Sequence, residues 1–348
     1  MNVVLGIFLH AVGGFAAGSF YLPLKKIKKW AWESFWIING FISWIVMPWL
    51  VAYITVPDLL SLLNNAPANS VYWSYIYGVL WGIGGLTFGL TMRYLGLSLG
   101  YSLALGLTAM FGTIIPPIYF GDFGDMLVQQ SGLVTFGGIL ITLAGIALTG
   151  WAGFIKDREL SEDEKKTGIK EFDLIKGIWV ALIAGIMSAC MAFGIQAGKP
   201  IANLAIQYHT PDLFQNSPVF IVIFAGGFTS NFIWCMYLNA KNKSFSDYLN
   251  LDTPLLINYI FSVFAGITWY FQFMFYGMGT TQMGKYDFAS WSIHFAFVIF
   301  FSNMWGILTR EWERVSPKTM RLIYGGLVVL VLSACIIGYG NYLAGLPG

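Results

Sequence analysis

VYWSYIYGVLWGIGGLTFGLTM, residues Val71 to Met92, runs for 22 residues without an Asp, Glu, Lys or Arg. A helix needs about 20 mostly apolar residues to cross the hydrocarbon core of a bilayer. In lipid a lone segment must satisfy its own backbone hydrogen bonds, so this stretch predicts a spanning α-helix. The alternating pattern of a membrane barrel strand is not seen in it.

Working outward, nine more segments read the same way. With the first they cover roughly 3–22, 34–56, 71–92, 95–119, 131–154, 177–198, 218–239, 255–278, 286–308 and 322–343. The whole 348-residue chain agrees: 57% of it is hydrophobic and only 10% charged, against about 25% charged in a soluble domain. Its mean hydropathy is +0.67. The predicted class is therefore an all-α, multi-pass membrane protein in the lipid bilayer. A net charge of +2 carries no argument for a nucleic-acid partner. The opening, MNVVLGIFLHAVGG, lacks a basic leader and a clear cleavage site and reads as a retained first helix. Cys190, Cys235 and Cys335 fall inside apolar segments and read as small hydrophobes rather than a disulfide framework.

Charge orients the segments. The loops after segments one, three, five, seven and nine hold 17 of the 19 Lys and Arg residues; the opposite loops hold only Lys199 and Lys285. The excess of positive charge on cytoplasmic loops then puts the odd-numbered loops inside and both termini outside. The longest polar run, KDRELSEDEKKTGIKEFDLIK, has mixed charge and reads as a solvated cytoplasmic tether. Trp30, Trp32, Trp36, Trp151, Trp179 and Trp312 lie near predicted helix ends, as an interfacial belt requires. Trp81, Trp269 and Trp291 lie elsewhere.

The tether divides the chain into residues 1–155, the linker 156–176, and residues 177–348, with five segments on each side. An odd number per half forces opposite orientations. A shift of 188 residues overlays segments three and four on eight and nine: Ser74 on Ser262, Gly78 on Gly266, Trp81 on Trp269, Gly89 on Gly277, Gly96 on Gly284 and Ser102 on Ser290. At another offset Gly6-Ile7 meets Gly177-Ile178, and Gly14 meets Gly185. Inverted repeats are a recurring construction of secondary transporters, with the substrate held near the midplane between them. Gly78, Gly82, Gly85 and Gly89 share one helix face, which allows close approach of a neighbouring backbone; the same smooth face could also slide during alternating access.

Ionisable groups inside such a chain need a reason. Asp287, Trp291 and His294 are spaced four and three apart, on one face of a ninth helix opening near residue 286. Gly284 permits a break before it. Asp287 there either caps the helix or titrates; His294, two turns deeper, either donates one hydrogen bond or titrates. His10 poses the same question among Gly13, Gly14, Ala17 and Gly18. In the eighth segment Trp269, Gln272, Phe273 and Tyr276 share a face. An amide among aromatic rings suits a neutral polyhydroxylated ligand, the rings covering C–H faces and the amide reading hydroxyls; an aromatic packing stripe is the plainer alternative. Asn39, Asn231 and Asn303 are weaker polar candidates.

Other chemistries lack their residues. There is no phosphate-binding GxxxxGK[ST], no HExxH, no GxSxG and no cluster for a metal, so no cofactor is implied. The first segment has no glutamate of the kind a small proton-coupled multidrug exporter uses. No pair of Lys or Arg lies deep in the helices, as an exchanger of phosphorylated sugars needs. An exporter or facilitator of another neutral metabolite, or a sensor without flux, stays open on these residues alone. Nothing in them sets an oligomeric state or stoichiometry.

Four stretches together carry a resemblance: FYLPLKKIKKWAWESFW (Phe20–Trp36), LWGIGGLTFGLTMRYLGLSLG (Leu80–Gly100), WYFQFMFYGMG (Trp269–Gly279) and YDFASWSIHF (Tyr286–Phe295). With them the chain resembles the bacterial L-rhamnose–proton symporter family of the drug/metabolite transporter superfamily, over essentially its whole length. The resemblance implies import of L-rhamnose across the inner membrane, driven by protons, by a five-plus-five inverted repeat. His10, Gln272, Asp287 and His294 stand where the family pattern has the same residue types. Gly85 departs, because that pattern has an asparagine within a WGIGN stretch, and the missing amide bears on hydroxyl recognition. The expected proton-coupling residues are Asp287, His294 and His10; the expected sugar-binding residues are Gln272, Trp269, Tyr276, Trp291 and Trp81.

Overall fold

The computed structural model describes residues 2–95, 97–121, 123–159 and 173–346. Most of the linker, Gly96, and the side chains of Arg93 and Ser102 lie outside the described residues. The described chain is helical and holds no strand. Its long elements are α1 (Val3–Ser19), α2 (Trp32–Thr55, with a π-helical turn at Phe41–Val46), α3 (Ala68–Leu95), α4 (Leu97–Phe120), α5 (Gln130–Glu159), α6 (Leu174–Ala197), α7 (Ser217–Asn242), α8 (Leu255–Thr280), α9 (Ser290–Leu308) and α10 (Pro317–Ala344).

Among the described residues, eight helical stretches are long and apolar enough to cross a membrane, and all helices but α3 and α4 contribute to them. The difference in α3 has a physical reason. One face of it is built for neighbours with small and polar residues, while Tyr72, Trp73, Ile83 and Leu90 are exposed. Ser74 Oγ donates to Gly194 O of α6 (3.1 Å), and Tyr75 OH lies 2.9 Å from Thr229 Oγ1 of α7. A Cβ on Gly78 would overlap the Ile223 carbonyl of α7, and one on Gly84 would lie 2.7 Å from Ser188 Oγ of α6. Apolar side chains gain nothing over lipid tails inside a bilayer, so close backbone contact and interhelical hydrogen bonds hold such helices together. In α4 the stretch Leu103–Tyr119 is a shorter apolar helix, and Pro116 and Pro117 lie near its end.

The helices pair in a fixed order. α1 lies between α8 and α9; α6 lies between α3 and α4; α2 meets α7 and α8, and α7 also meets α3. α5 and α10 pair with each other, each beside the last helix of the neighbouring group.

The loops sort to two ends. At one end Lys25 Nζ meets Glu311 Oε1 (3.0 Å), Asp247 accepts from Ala31 N and Ser34 Oγ (both 2.8 Å), and Glu159 accepts from Ser316 and Thr319. The buried Glu33 carboxylate is satisfied there by Asn242 Nδ2 (2.9 Å) and Ser244 Oγ (2.7 Å). At the other end Lys285 Nζ donates to Gln129 Oε1 (3.0 Å), Asn65 Nδ2 to Tyr208 OH (2.9 Å), and Asn2 N to Gln282 Oε1 (3.1 Å). The lysine-rich loops thus gather at one end, and the first described residues lie at the opposite one.

Two sequence expectations need adjustment. Cys190 and Cys235 are buried, but Cys335 is exposed on α10. Trp32, Trp151 and Trp179 are exposed as a belt requires, while Trp30 and Trp312 are buried.

Candidate functional site

The central cavity begins with local accidents of α2. Gly40 has no Cβ, and the Trp44 ring occupies the space one would take. The π-helical turn at Phe41–Val46 sits at this point, a distortion frequent where helices serve function. Trp44 is thereby turned inward, 3% exposed. Its ring stands 5.9 Å from that of Trp81 and 5.5 Å from that of Trp269, both edge-on, and the latter two lie 5.7 Å apart. Gly227 of α7 makes room for the Trp81 ring.

Three indoles from α2, α3 and α8 therefore form one wall of a cavity of about 190 Å3. Polar groups are few and convergent. Gln272 and His294 face it from α8 and α9, Thr108 from α4, and Ser188 from α6. Asn231 is fixed by donating to Gly82 O (3.3 Å) and Gly227 O (2.9 Å) while accepting from Trp36 Nε1 (3.1 Å). The Gln272 carboxamide makes no hydrogen bond to protein among the described residues. Gly85 also lines the cavity, and a Cβ there would meet no atom within 4 Å. The four-glycine face of α3 is thus divided: Gly78 and Gly82 are closed against α7, whereas Gly85 and Gly89 are open. The cavity runs from His294 and Trp291 to Phe20, Tyr21 and Trp36, near the lysine-rich end.

An aromatic layer closes the other side. The Trp291 indole seats on Gly112 of α4, where any Cβ would collide with it, and donates to Thr108 O (3.1 Å). Tyr276 meets it edge-on at 5.5 Å. Tyr276 also lies 5.4 Å from the His10 ring and 5.3 Å from that of His294, and the two imidazoles are 6.3 Å apart. Gly279 allows this approach, since its Cβ would come within 2.9 Å of the His10 ring. Both nitrogens of His10 and Nδ1 of His294 are buried without a hydrogen-bond partner. A buried, unpartnered polar group is costly, so such groups call for a functional explanation.

Beyond the layer lies a second cavity, of about 290 Å3, at the lysine-poor end. Tyr276 and Gly112 form its floor, and Asp287 lines it. This corrects the placement of Asp287 on the face of the ninth helix. Gly284 takes φ +74° and Tyr286 is non-helical (φ −104°, ψ 46°), so Gly284–Ala289 winds as a 3-10 segment and α9 begins at Ser290. Asp287 does not cap α9, whose N-cap Ala289 lacks a side-chain bond. It pairs instead with Lys199 at 3.1 Å, the two side chains being 24% and 50% exposed. A pair that wet contributes about 0–1 kcal/mol.

The residues singled out in the sequence therefore fall into three places. Trp81, Trp269, Gln272, Trp291 and His294 share the central cavity; His10 and Tyr276 stand at its closed end; Asp287 belongs to the second cavity. Sequence reasoning missed Trp44, Trp36 and Lys199. Trp44 carried a usable signal, since it lies mid-segment where no interfacial belt reaches. Asn39 is buried with both amide atoms unpartnered, and Asn303 bonds to Ile299 O of its own helix (2.9 Å).

Apolar helices enclosing a cavity with a few unpartnered polar side chains define a multi-pass membrane transporter. No group of three His, Cys, Asp or Glu side chains that could hold a metal occurs among the described residues. Residues 1–343 match the family described as L-rhamnose-proton symport protein (RhaT), and the chain belongs to that family of transporters, which are not enzymes. It is 36% identical over 342 residues to the L-rhamnose-proton symporter of Yersinia pestis (strain Pestoides F), with 97% of this chain and 98% of the relative aligned. The L-rhamnose-proton symporter of Yersinia pseudotuberculosis serotype O:1b (strain IP 31758) matches at the same identity and coverage.

Proposed function

We propose that this protein imports L-rhamnose, or a closely related neutral deoxy sugar, by proton symport across the bacterial inner membrane. The observation that carries this reading is family membership over nearly the full length of the chain and of its relatives. The central cavity supports the ligand class. Its indoles suit the C–H faces of a sugar ring, and the carboxamide of Gln272 suits hydroxyls. Among the described residues no Lys, Arg, Asp or Glu lines it, which favours a neutral solute over an ion.

The proposed architecture is ten spans in two inverted repeats of five. The helix partners support it, because they exchange under a shift of five. α1 beside α8 and α9 becomes α6 beside α3 and α4; α2 on α8 becomes α7 on α3. Two pairs of repeat-related glycines behave alike, whereas Gly89 is open and its counterpart Gly277 is closed against Phe220. Gly14 is closed against Phe297 of α9 and Gly185 against Leu107 of α4; Gly78 is closed against α7 and Gly266 against Asn39 O of α2. Trp81 and Trp269, equivalent under the shift, meet in the cavity. The lysine-rich end is cytoplasmic by the charge rule, which leaves both termini periplasmic and the cavity facing inward.

His10 and His294 are the proposed proton pair. Two positive charges about 6 Å apart in a dry site repel strongly, which suits the pair to hold one proton at a time. Asp287 lies in the second cavity on the outer side as a proposed entry point for the proton, and Tyr276 stands between that cavity and the imidazoles. Gln272, Trp269, Trp81 and Trp44 hold the sugar, and Tyr276 with Trp291 closes the site behind it. The test is uptake of labelled L-rhamnose into proteoliposomes with an inward proton gradient, with and without a protonophore. Accumulation that the protonophore abolishes is expected. Uptake that only equilibrates, whatever the gradient, refutes symport.

A further inference from the structure

The second cavity has features that closing a gate does not need. Its walls carry the carboxamides of Gln196, Asn203, Gln215 and Asn216, the hydroxyls of Thr280 and Thr281, and the Lys199–Asp287 pair. Asn216 Nδ2 is engaged by Gly277 O (3.1 Å), while the amides of Gln196, Asn203 and Gln215 make no hydrogen bond to protein among the described residues. At about 290 Å3 it is larger than the central cavity, at about 190 Å3. Among the described residues the two share no lining residue.

Carboxamides and hydroxyls supply donors and acceptors together, which matches the mixed character of sugar hydroxyls. The one ion pair is internally compensated and gives neither an anion nor a cation a net advantage. This points to a neutral polyhydroxylated ligand, the same class the central cavity takes. Its polar groups are mostly amides and hydroxyls where the central wall presents indoles, so it offers looser, wetter binding. Its floor is one aromatic layer thick, formed by Tyr276 against Trp291.

We propose that this vestibule is a second, outer subsite at which the sugar docks before crossing the Tyr276–Trp291 layer into the central cavity. The inference rests on the sugar-import reading for the identity of the ligand, and on the geometry alone for the existence of the subsite. The two cavities can be occupied independently in this arrangement. Loss of the central site therefore leaves docking at the vestibule intact.

Asn203 is exposed at the rim on the short helix Lys199–Gln207. The test labels Asn203→Cys with a membrane-impermeant thiol reagent in the reconstituted full chain. Cys335, exposed, is first changed to Ser; Cys190 and Cys235 are buried. Labelling rates are compared with L-rhamnose and with glycine betaine of equal osmolarity. This is done with Gln272 intact and again with Gln272→Leu, or Gln272→Ala should the leucine variant not fold. At sugar about ten times the half-protecting concentration, labelling slows by about tenfold, following 1 + [L]/Kd. The expected result is protection in both backgrounds, although transport falls when Gln272 is changed. Protection that disappears with the Gln272 change comes from the central cavity and overturns the subsite. L-Rhamnose uptake by the parent chain is measured alongside. If it is absent, the assigned substrate fails, and a panel of neutral sugars then scores the vestibule: protection by one of them in both backgrounds sustains it, and protection by none overturns it.

Discussion

Gly78 and Gly85 lie seven residues apart, on nearly the same face of α3, yet the same substitution has opposite consequences at the two. At Gly78 an alanine methyl would overlap the Ile223 carbonyl, a backbone atom of α7 that cannot rotate away. Overpacking of this kind costs about 1–3 kcal/mol. At Gly85 the methyl meets nothing within 4 Å and projects into the central cavity. Replacing a mid-helix glycine by alanine there stabilises by about 0.5–1 kcal/mol. The two variants are thus expected to differ by about 1.5–4 kcal/mol, which thermal unfolding in detergent, followed by tryptophan fluorescence, resolves. Their transport differs in the other sense. A methyl added to a filled pocket weakens binding by about 1 kcal/mol, so Gly85→Ala is more stable than the parent but binds sugar roughly fivefold more weakly. If Gly85→Ala loses stability as Gly78→Ala does, α3 is turned away from the cavity. If it gains stability and keeps its sugar affinity, the sugar binds elsewhere.

Three further outcomes follow from single contacts. Gln272→Asn withdraws the amide from the cavity by one methylene and raises the KM for sugar several-fold, measured in proton-driven uptake, with the dependence on the proton gradient kept. His294→Gln and His10→Gln act on coupling: each is expected to reduce gradient-driven accumulation while sparing exchange of labelled for unlabelled sugar. Equal loss of both activities would point to a folding defect instead. Glu159 receives hydrogen bonds from Ser316 and Thr319 at the N-terminus of α10, and these hold its carboxyl below the ordinary value of 4.5. A carboxyl depressed on folding stabilises above its unfolded value and loses that contribution as pH falls through the lower folded value. Acid unfolding of the detergent-solubilised chain is therefore expected to lose one protonation step in Glu159→Gln, with the difference confined to pH below about 4.5.

The all-α, multi-pass class was legible because the bilayer imposes a coarse rule. Segments of spanning length and the sorting of lysines between loops need no knowledge of neighbours. The Lys25–Glu311 and Lys285–Gln129 contacts join the loops that charge alone had assigned to each end. Gln272 and Trp269 were also readable, since α8 is an unbroken helix and its periodicity holds. Asp287 was misplaced because the spacing rule assumes 3.6 residues per turn, whereas Gly284–Ala289 winds at about three after a left-handed glycine. Trp44 and Lys199 could not be assigned from spacing. The first is turned inward by a π-helical turn, and the second acquires its meaning only when the helix after α6 meets the turn before α9.

The central claim is that one cavity binds the sugar and moves a proton with it. Its most direct test is the sugar gradient sustained by a known proton gradient in proteoliposomes whose membrane potential is clamped at zero. With one proton per sugar, an imposed difference of about one pH unit holds L-rhamnose about tenfold above the outside concentration. Equal concentrations on the two sides, at every imposed pH difference, would contradict it.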